Sequence, residues 1–206
     1  MYNIIYKMFN KIYIIHRASD LERNIEPLIE SLKGKYKTLE IIEPKPRVED
    51  YSSLICFWSK KVESRKGVIS LYNTNISLME QIVDQQLDKV LILEDDAELY
   101  DSEIILNNEC DIHFLNTRMW KKKNASCMAN YYPNWLQTRR VLRILKMYRM
   151  LKNNKHRPID LELDYCKNKF LLEFEYSNYF IHPKNESTIG SIHNFNDDGT
   201  FKTNIN

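Results

Sequence analysis

The stretch that most constrains this chain is Lys89-Val90-Leu91-Ile92-Leu93-Glu94-Asp95-Asp96-Ala97. Four consecutive branched apolar residues without alternation fit a strand buried on both faces, the condition of a parallel sheet covered by helices. The run then stops at three acids. In an open α/β sheet the ligand crevice lies outside the carboxyl ends of the strands, so the triplet puts negative charge where such a site forms. Adjacent carboxylates repel one another unless a cation sits among them. Glu94 and Asp96, two residues apart, project to the same side of extended backbone and can share work there.

The surrounding pattern supports that class. Lys11 to His16 is a β-branched and aromatic run that reads as a buried strand, and Thr38 to Ile42 reads as a second one closed by Pro44 and Pro46. Between them Ser19 or Asp20 is a plausible N-cap, with Leu21, Ile25, Leu28, Ile29 and Leu32 at helical spacing up to Gly34. The opening is therefore β-α-β. Leu71, Ile76, Leu78, Met79, Ile82 and Val83 predict a helix over Ser70 to Gln86, and Ile112 to Leu115 a further strand. Helix and strand alternate, so the fold class is α/β with a mostly parallel central sheet flanked by helices. Further on, Asn116 to Pro133 reads as a loop carrying Lys121-Lys122-Lys123, and Asn134 to Leu151 as an amphipathic helix. Its apolar face holds Val141, Ile144, Leu145, Tyr148 and Leu151, and its basic face Arg139, Arg143 and Lys146. Pro158 suits the first turn of a helix through about Cys166, followed by strands at Phe170 to Phe174 and Tyr179 to Ile181. With 206 residues, no repeat and no linker, we expect one domain over 1–206, its residues 193–206 a fraying polar tail.

Charge separates the chain into two parts. The net charge is +2, yet Ile112 to Ile159 carries 12 Lys or Arg and no Asp or Glu. That segment can face a phosphate, an anionic membrane surface, an acidic acceptor or nucleic acid, or be a solvated face. Trp120, Tyr131, Tyr132 and Trp135 interleave with it and could instead form a wall on which a sugar stacks. No apolar run approaches the roughly 20 residues that span a bilayer, and Met1 to Phe9 does not read as a signal peptide. Cys56, Cys110, Cys127 and Cys166 are widely spaced, which predicts reduced thiols in a cytoplasmic protein rather than a zinc site or disulfide framework. Four glycines cannot build the Gly-rich phosphate loops.

Lys66 to Val83 (K-G-V-I-S-L-Y-N-T-N-I-S-L-M-E-Q-I-V) followed by Val90 to Ala97 (V-L-I-L-E-D-D-A) resembles glycosyltransferase family 25, which includes lipopolysaccharide-biosynthesis and procollagen galactosyltransferases. The shared pattern is a K-G-type turn, a helix, and a strand ending in E-D-D. Ile14 to Arg23 resembles the family's first strand and Arg-bearing turn, and Arg157 to Asp160 its late P-I-D element. His16 stands where the family has Asn, and Ile69 to Asn75 replaces its G-C-x-x-S-H motif.

The resemblance implies a GT-A fold, a UDP-sugar donor, Mn2+ or Mg2+, and transfer of a hexose, galactose or glucose, to a glycan or hydroxylated protein acceptor. Asp96 would be the metal ligand, joined by His193 or His182, with His193 preferred for its Gly-flanked loop. Glu94 would accept a hydrogen bond from a ribose or sugar hydroxyl, and Asp95 would assist the metal or bind the sugar. Arg23, with Arg17 beside it, would meet the diphosphate or the base. If the transfer inverts the anomeric centre, Asp160 would take the acceptor proton, with Asp164 as its rival. Peripheral contact with an anionic membrane is a further expectation. The competing classes are a nucleic-acid-binding protein using 112–159, the less favoured reading, and a catalytically silent glycosyltransferase-like structural protein.

Overall fold

A computed structural model describes residues 7–19, 23–47, 52, 62–116, 128–155 and 157–181. Strand β1 (Phe9–Ile15) pairs in parallel with β2 (Tyr36–Ile42) on one side and with β3 (Val90–Glu94) on the other. The sheet continues through β6 (Ala129–Tyr132), β5 (Ile112–Phe114) and β7 (Phe174–Tyr176), in the order β2-β1-β3-β6-β5-β7. Only β6 runs antiparallel to its neighbours, as the paired registers of its two sides show. A second, two-stranded sheet joins β4 (Glu98–Leu99) to β8 (Phe180–Ile181). The expected mixed α/β architecture with a mostly parallel sheet is what the structure has.

Each face of the sheet carries its own core. Tyr13 and Ile15 of β1, with Val90 and Ile92 of β3, pack against α2 (Val62–Asp84), α3 (Trp135–Leu151) and α4 (Ile159–Phe170). Ile12, Ile14, Leu91 and Leu93 face the other way, onto Leu28 and Leu32 of the α1 region (α1, Glu26–Ser31). Burying one such side chain contributes about 1.5–3 kcal/mol. A one-residue slip of β3 would only exchange one fully buried set for another, so side-chain pattern alone does not fix its register. The acids do, because they must stay at the end.

Several boundaries depart from the sequence reading. The first helix starts at Glu26 rather than at Ser19 or Asp20, because Pro27 occupies its first turn and the Asn24 Oδ1 accepts from the Glu26 N–H at 3.0 Å. Residues 23–25 consequently stay outside it. Helix α2 begins at Val62, so Lys66-Gly67 is helical and not a turn. The predicted loop Asn116 to Pro133 contains β6, whose Ala129-Asn130-Tyr131-Tyr132 is wholly buried. That burial rules out Tyr131 and Tyr132 as a sugar-stacking wall. Helix α4 runs to Phe170 because Ile159, Leu163 and Cys166 continue the buried stripe, and Leu171 ends it in the left-handed region (φ 54). The strand expected at Phe170 to Phe174 therefore starts only at Phe174. In α3 the predicted face is buried at Val141, Leu145 and Tyr148, whereas Leu151 is exposed. The Lys121-Lys122-Lys123 cluster, Trp120, Cys56, Cys127 and the 193–206 tail lie outside the described residues.

Candidate functional site

The order β2-β1-β3 means that the chain leaves β1 toward one side of the sheet and returns on the other. The carboxyl ends of β1 and β3 thus flank a topological switch point, where connections diverge and a crevice opens. Ile15 stands opposite Glu94 in the register. The Asp95 N–H still donates to the Ile15 carbonyl at 3.1 Å, so the strands remain fastened one residue past the end of β3. On the far side of β3 the Glu94 N–H donates to Met128 at 2.9 Å. The acidic triplet is therefore held rigidly from both neighbours.

Asp95 is the hub of this edge. One carboxylate oxygen is 2.9 Å from His16 Nδ1, and the other accepts from the Arg23 guanidinium. The same Arg23 nitrogen lies 3.4 Å from Asp96 Oδ2. The Asp95 side chain is only 8% exposed, so this charge is compensated inside the protein and not by solvent. The cation that three adjacent acids require is, at least for Asp95 and Asp96, the guanidinium of Arg23. Its reach follows from the late start of α1, which leaves Arg23 free to cross the sheet edge instead of being wound into a helix.

A cavity of about 80 Å³ opens beside this clamp, with Arg17, Arg23, Arg47, Glu94 and Asp95 in its wall and Gly67 of α2 closing one side. Arg47 arrives there because the segment after β2 is tied to α2. The Ser70 hydroxyl donates to the Lys45 carbonyl, and the Lys45 N–H donates to Thr74 Oγ1 at 2.8 Å. Arg17 is 3.7 Å from Glu43, whose other oxygen accepts from the Ala18 N–H at 2.9 Å. Three guanidiniums and two carboxylates line this one small cavity, a set that can take an anion beside a hydroxyl. The guanidinium fork matches the oxygens of phosphate or carboxylate, and Glu94 can accept from a hydroxyl next to it.

The structure thus brings together five of the residues weighed for the site, Arg17, Arg23, Glu94, Asp95 and Asp96. Asp160 lies in the first turn of α4, 6% exposed, and is not among the residues that line the cavity. Its neighbour Glu162 accepts from the Tyr72 hydroxyl at 2.6 Å and from the Arg157 N–H at 3.2 Å. Burial pushes the Glu162 carboxyl above its ordinary range, against those hydrogen bonds. Asp164, the rival base, sits further along the same helix. His193 and His182 lie outside the described residues. Among the described residues no three His, Cys, Asp or Glu side chains gather as an ion site. Glu94 and Asp96 carry the hard oxygens that a divalent ion prefers, Asp96 with the Arg23 guanidinium already 3.4 Å away.

Sequence reasoning missed Arg47, Ser70 and Thr74, having read Pro44 and Pro46 only as punctuation. The usable signal was position, because Arg47 follows the carboxyl end of a parallel strand. One alternative nucleophile is ruled out by geometry. His113 Nδ1 accepts from the Asn107 N–H at 3.2 Å, so its Nε2 carries the proton and donates to Ser177 Oγ at 2.7 Å. A base for Ser177 needs the opposite tautomer.

No family model and no curated protein matches the chain. Among solved structures it is similar to the crystal structure of a glycosyltransferase involved in the glycosylation of the major capsid of PBCV-1, with a TM-score of 0.50 and 10% sequence identity over 82% of this chain and 82% of that chain. The likeness is one of fold.

Proposed function

We propose that this chain is a glycosyltransferase that takes a nucleotide-sugar donor, with a UDP-hexose carrying galactose or glucose as the specific expectation, and transfers the sugar to a glycan or a hydroxylated protein. The observation that carries this reading is the cavity at the β1/β3 switch point, where Arg17, Arg23 and Arg47 meet Glu94. The fold shared with a known glycosyltransferase and the E-D-D strand end are consistent with it.

In glycosyl transfer the bond between the anomeric carbon and the diphosphate breaks, and negative charge develops on the departing oxygens. Arg17 and Arg47 would bind those oxygens, and preorganised cations in a partly dry pocket stabilise developing charge without reorganising. Glu94 would accept from a ribose or sugar hydroxyl and set the donor's orientation. Asp95 acts through others, holding Arg23 and His16 in place. A divalent ion, Mn2+ or Mg2+, would be held by Asp96 and Glu94 and would supply further neutralisation of the diphosphate. The acceptor proton needs a base, and Asp160 remains the residue the P-I-D resemblance offers for it, although it does not line the cavity.

Thermal unfolding with and without UDP tests the reading. A ligand that binds only the native state raises its stability with the logarithm of occupancy, so millimolar UDP should raise the melting temperature. The shift should shrink in Arg47→Gln and grow with Mn2+ if Asp96 holds the ion. An unchanged melting temperature at millimolar UDP, with and without Mn2+, would rule out UDP-sugar transfer.

A further inference from the structure

Helix α3 presents an outer face that packing leaves uncovered. Its inner stripe, Thr138, Val141, Leu142, Leu145 and Tyr148, is buried. Opposite to it, at helical spacing, stand Leu136, Arg143, Met147 and Met150, followed by Leu151. Met150 is 69% exposed and Leu151 66%. Next to this face Leu171 is 80% exposed in a left-handed conformation (φ 54), which costs a branched residue about 1–2 kcal/mol. Its corner is fastened to α3, because the Arg140 guanidinium donates to the Leu171 carbonyl at 3.0 Å while pairing with Asp111 at 3.1 Å. Arg143, Lys152 and Lys155 are exposed around these apolar side chains, as is Lys146, which pairs with Glu80 of α2 at 2.6 Å. No acid interrupts the sequence from Ile112 to Ile159.

We infer that the outer face of α3, with the Leu171 corner, docks on an anionic lipid surface. Exposed Met and Leu gain from a partner only if it offers somewhere apolar to enter, and the cations around them require that partner to be negative. An interfacial helix combines these two needs, with its apolar side chains at the acyl boundary and its Lys and Arg at the headgroups. A nucleic acid would satisfy the charge but leave Met147, Met150 and Leu151 against phosphate. The described helices include none long and apolar enough to cross a membrane, so the contact is one of lying on the surface. The inner side of α3 meets α2 through Arg149. The Arg149 guanidinium lies 5.6 Å over the Tyr72 ring, and Leu71, next in the chain to Tyr72, lines the cavity. The docking does not depend on the sugar-transfer reading and is tested without it.

The test is flotation of the full chain with vesicles of phosphatidylcholine alone and of equal parts phosphatidylcholine and phosphatidylglycerol. The protein should float with the second and not the first, and be released by high salt. Arg143→Gln with Lys155→Gln should weaken the partition about fivefold per cation. Met150→Gln with Leu151→Gln should weaken it further at unchanged melting temperature, since both side chains are exposed. Equal binding to both vesicles, or an apolar double variant that floats like the wild type, overturns the inference. So does salt-sensitive retention on an RNA homopolymer when neither vesicle binds. None of these readouts involves UDP, so failure here is distinguishable from failure of the transferase reading.

Discussion

Asp95 has both carboxylate oxygens occupied by cationic or polar side chains of the chain itself, so its substitution is first a question of stability. Removing one partner of a buried pair leaves a desolvated charge, at a cost of about 3–5 kcal/mol. Asp95→Asn should lower the unfolding free energy by that order in urea titration, and Arg23→Gln by a similar amount because two carboxylates then face each other. Glu94→Gln should reduce the UDP-induced thermal shift. Glu162 behaves differently. Its carboxyl is raised by burial, so the native state holds the proton more tightly than the unfolded chain and wild-type stability falls as pH rises above about 4.5. Against Glu162→Gln, which cannot titrate, the wild type should lose ground as pH rises above about 4.5, until the native carboxyl has also ionised. A pH-independent difference would show that folding does not shift the Glu162 carboxyl.

At the scale of elements, the segment after β2 is positioned by α2, and the tethers are two hydroxyls. Ser70→Ala with Thr74→Val should cost about 1 kcal/mol per lost hydrogen bond and diminish the UDP response by releasing Arg47. In contrast, the Asn134 side chain caps α3 by accepting from the Gln137 N–H at 3.0 Å, far from the cavity. Asn134→Ala should cost about 1 kcal/mol and leave the UDP response intact. These elements were not equally legible. Strands β1 and β3 and helix α3 declare themselves by local composition and spacing, and the end of β3 marks the site through its acids. Strand β6 does not, because what makes Ala129-Asn130-Tyr131-Tyr132 a strand is the unmet backbone of β3 and β5 on either side, information held elsewhere in the chain. The clamp was half readable for the same reason. A need for a cation follows from the triplet, but that Arg23 supplies it depends on where Pro27 starts α1.

Across the whole molecule, the two cores on opposite faces of one sheet should melt together, and the buried thiols report on that. Burial pushes Cys110 up to about 11 and Cys166 up to about 12, and both are buried and outside any disulfide. Thiolate is the reactive form, so at pH about 8 these thiols should resist a disulfide reagent until global unfolding. In a Cys56→Ser, Cys127→Ser background, labelling should follow the same denaturant curve as circular dichroism. Early labelling of one thiol would mean that one face opens independently.

The sheet has a consequence for how the protein is made. Strands β2, β1 and β3 come from the first half of the chain, β5 and β7 from the second, and β6 alone bridges the halves. During synthesis, Val90 to Leu93 leaves the ribosome well before the strand that will cover its open side. For that interval the growing chain displays an apolar, uncharged edge of the kind that recruits foreign strands. The acids immediately after it, with Asp88 and Lys89 just before it, are then its gatekeepers against aggregation, a duty they carry before any site exists. A fragment ending before Met128 should accordingly precipitate or associate with chaperones, whereas one ending after Tyr132 should have that edge closed.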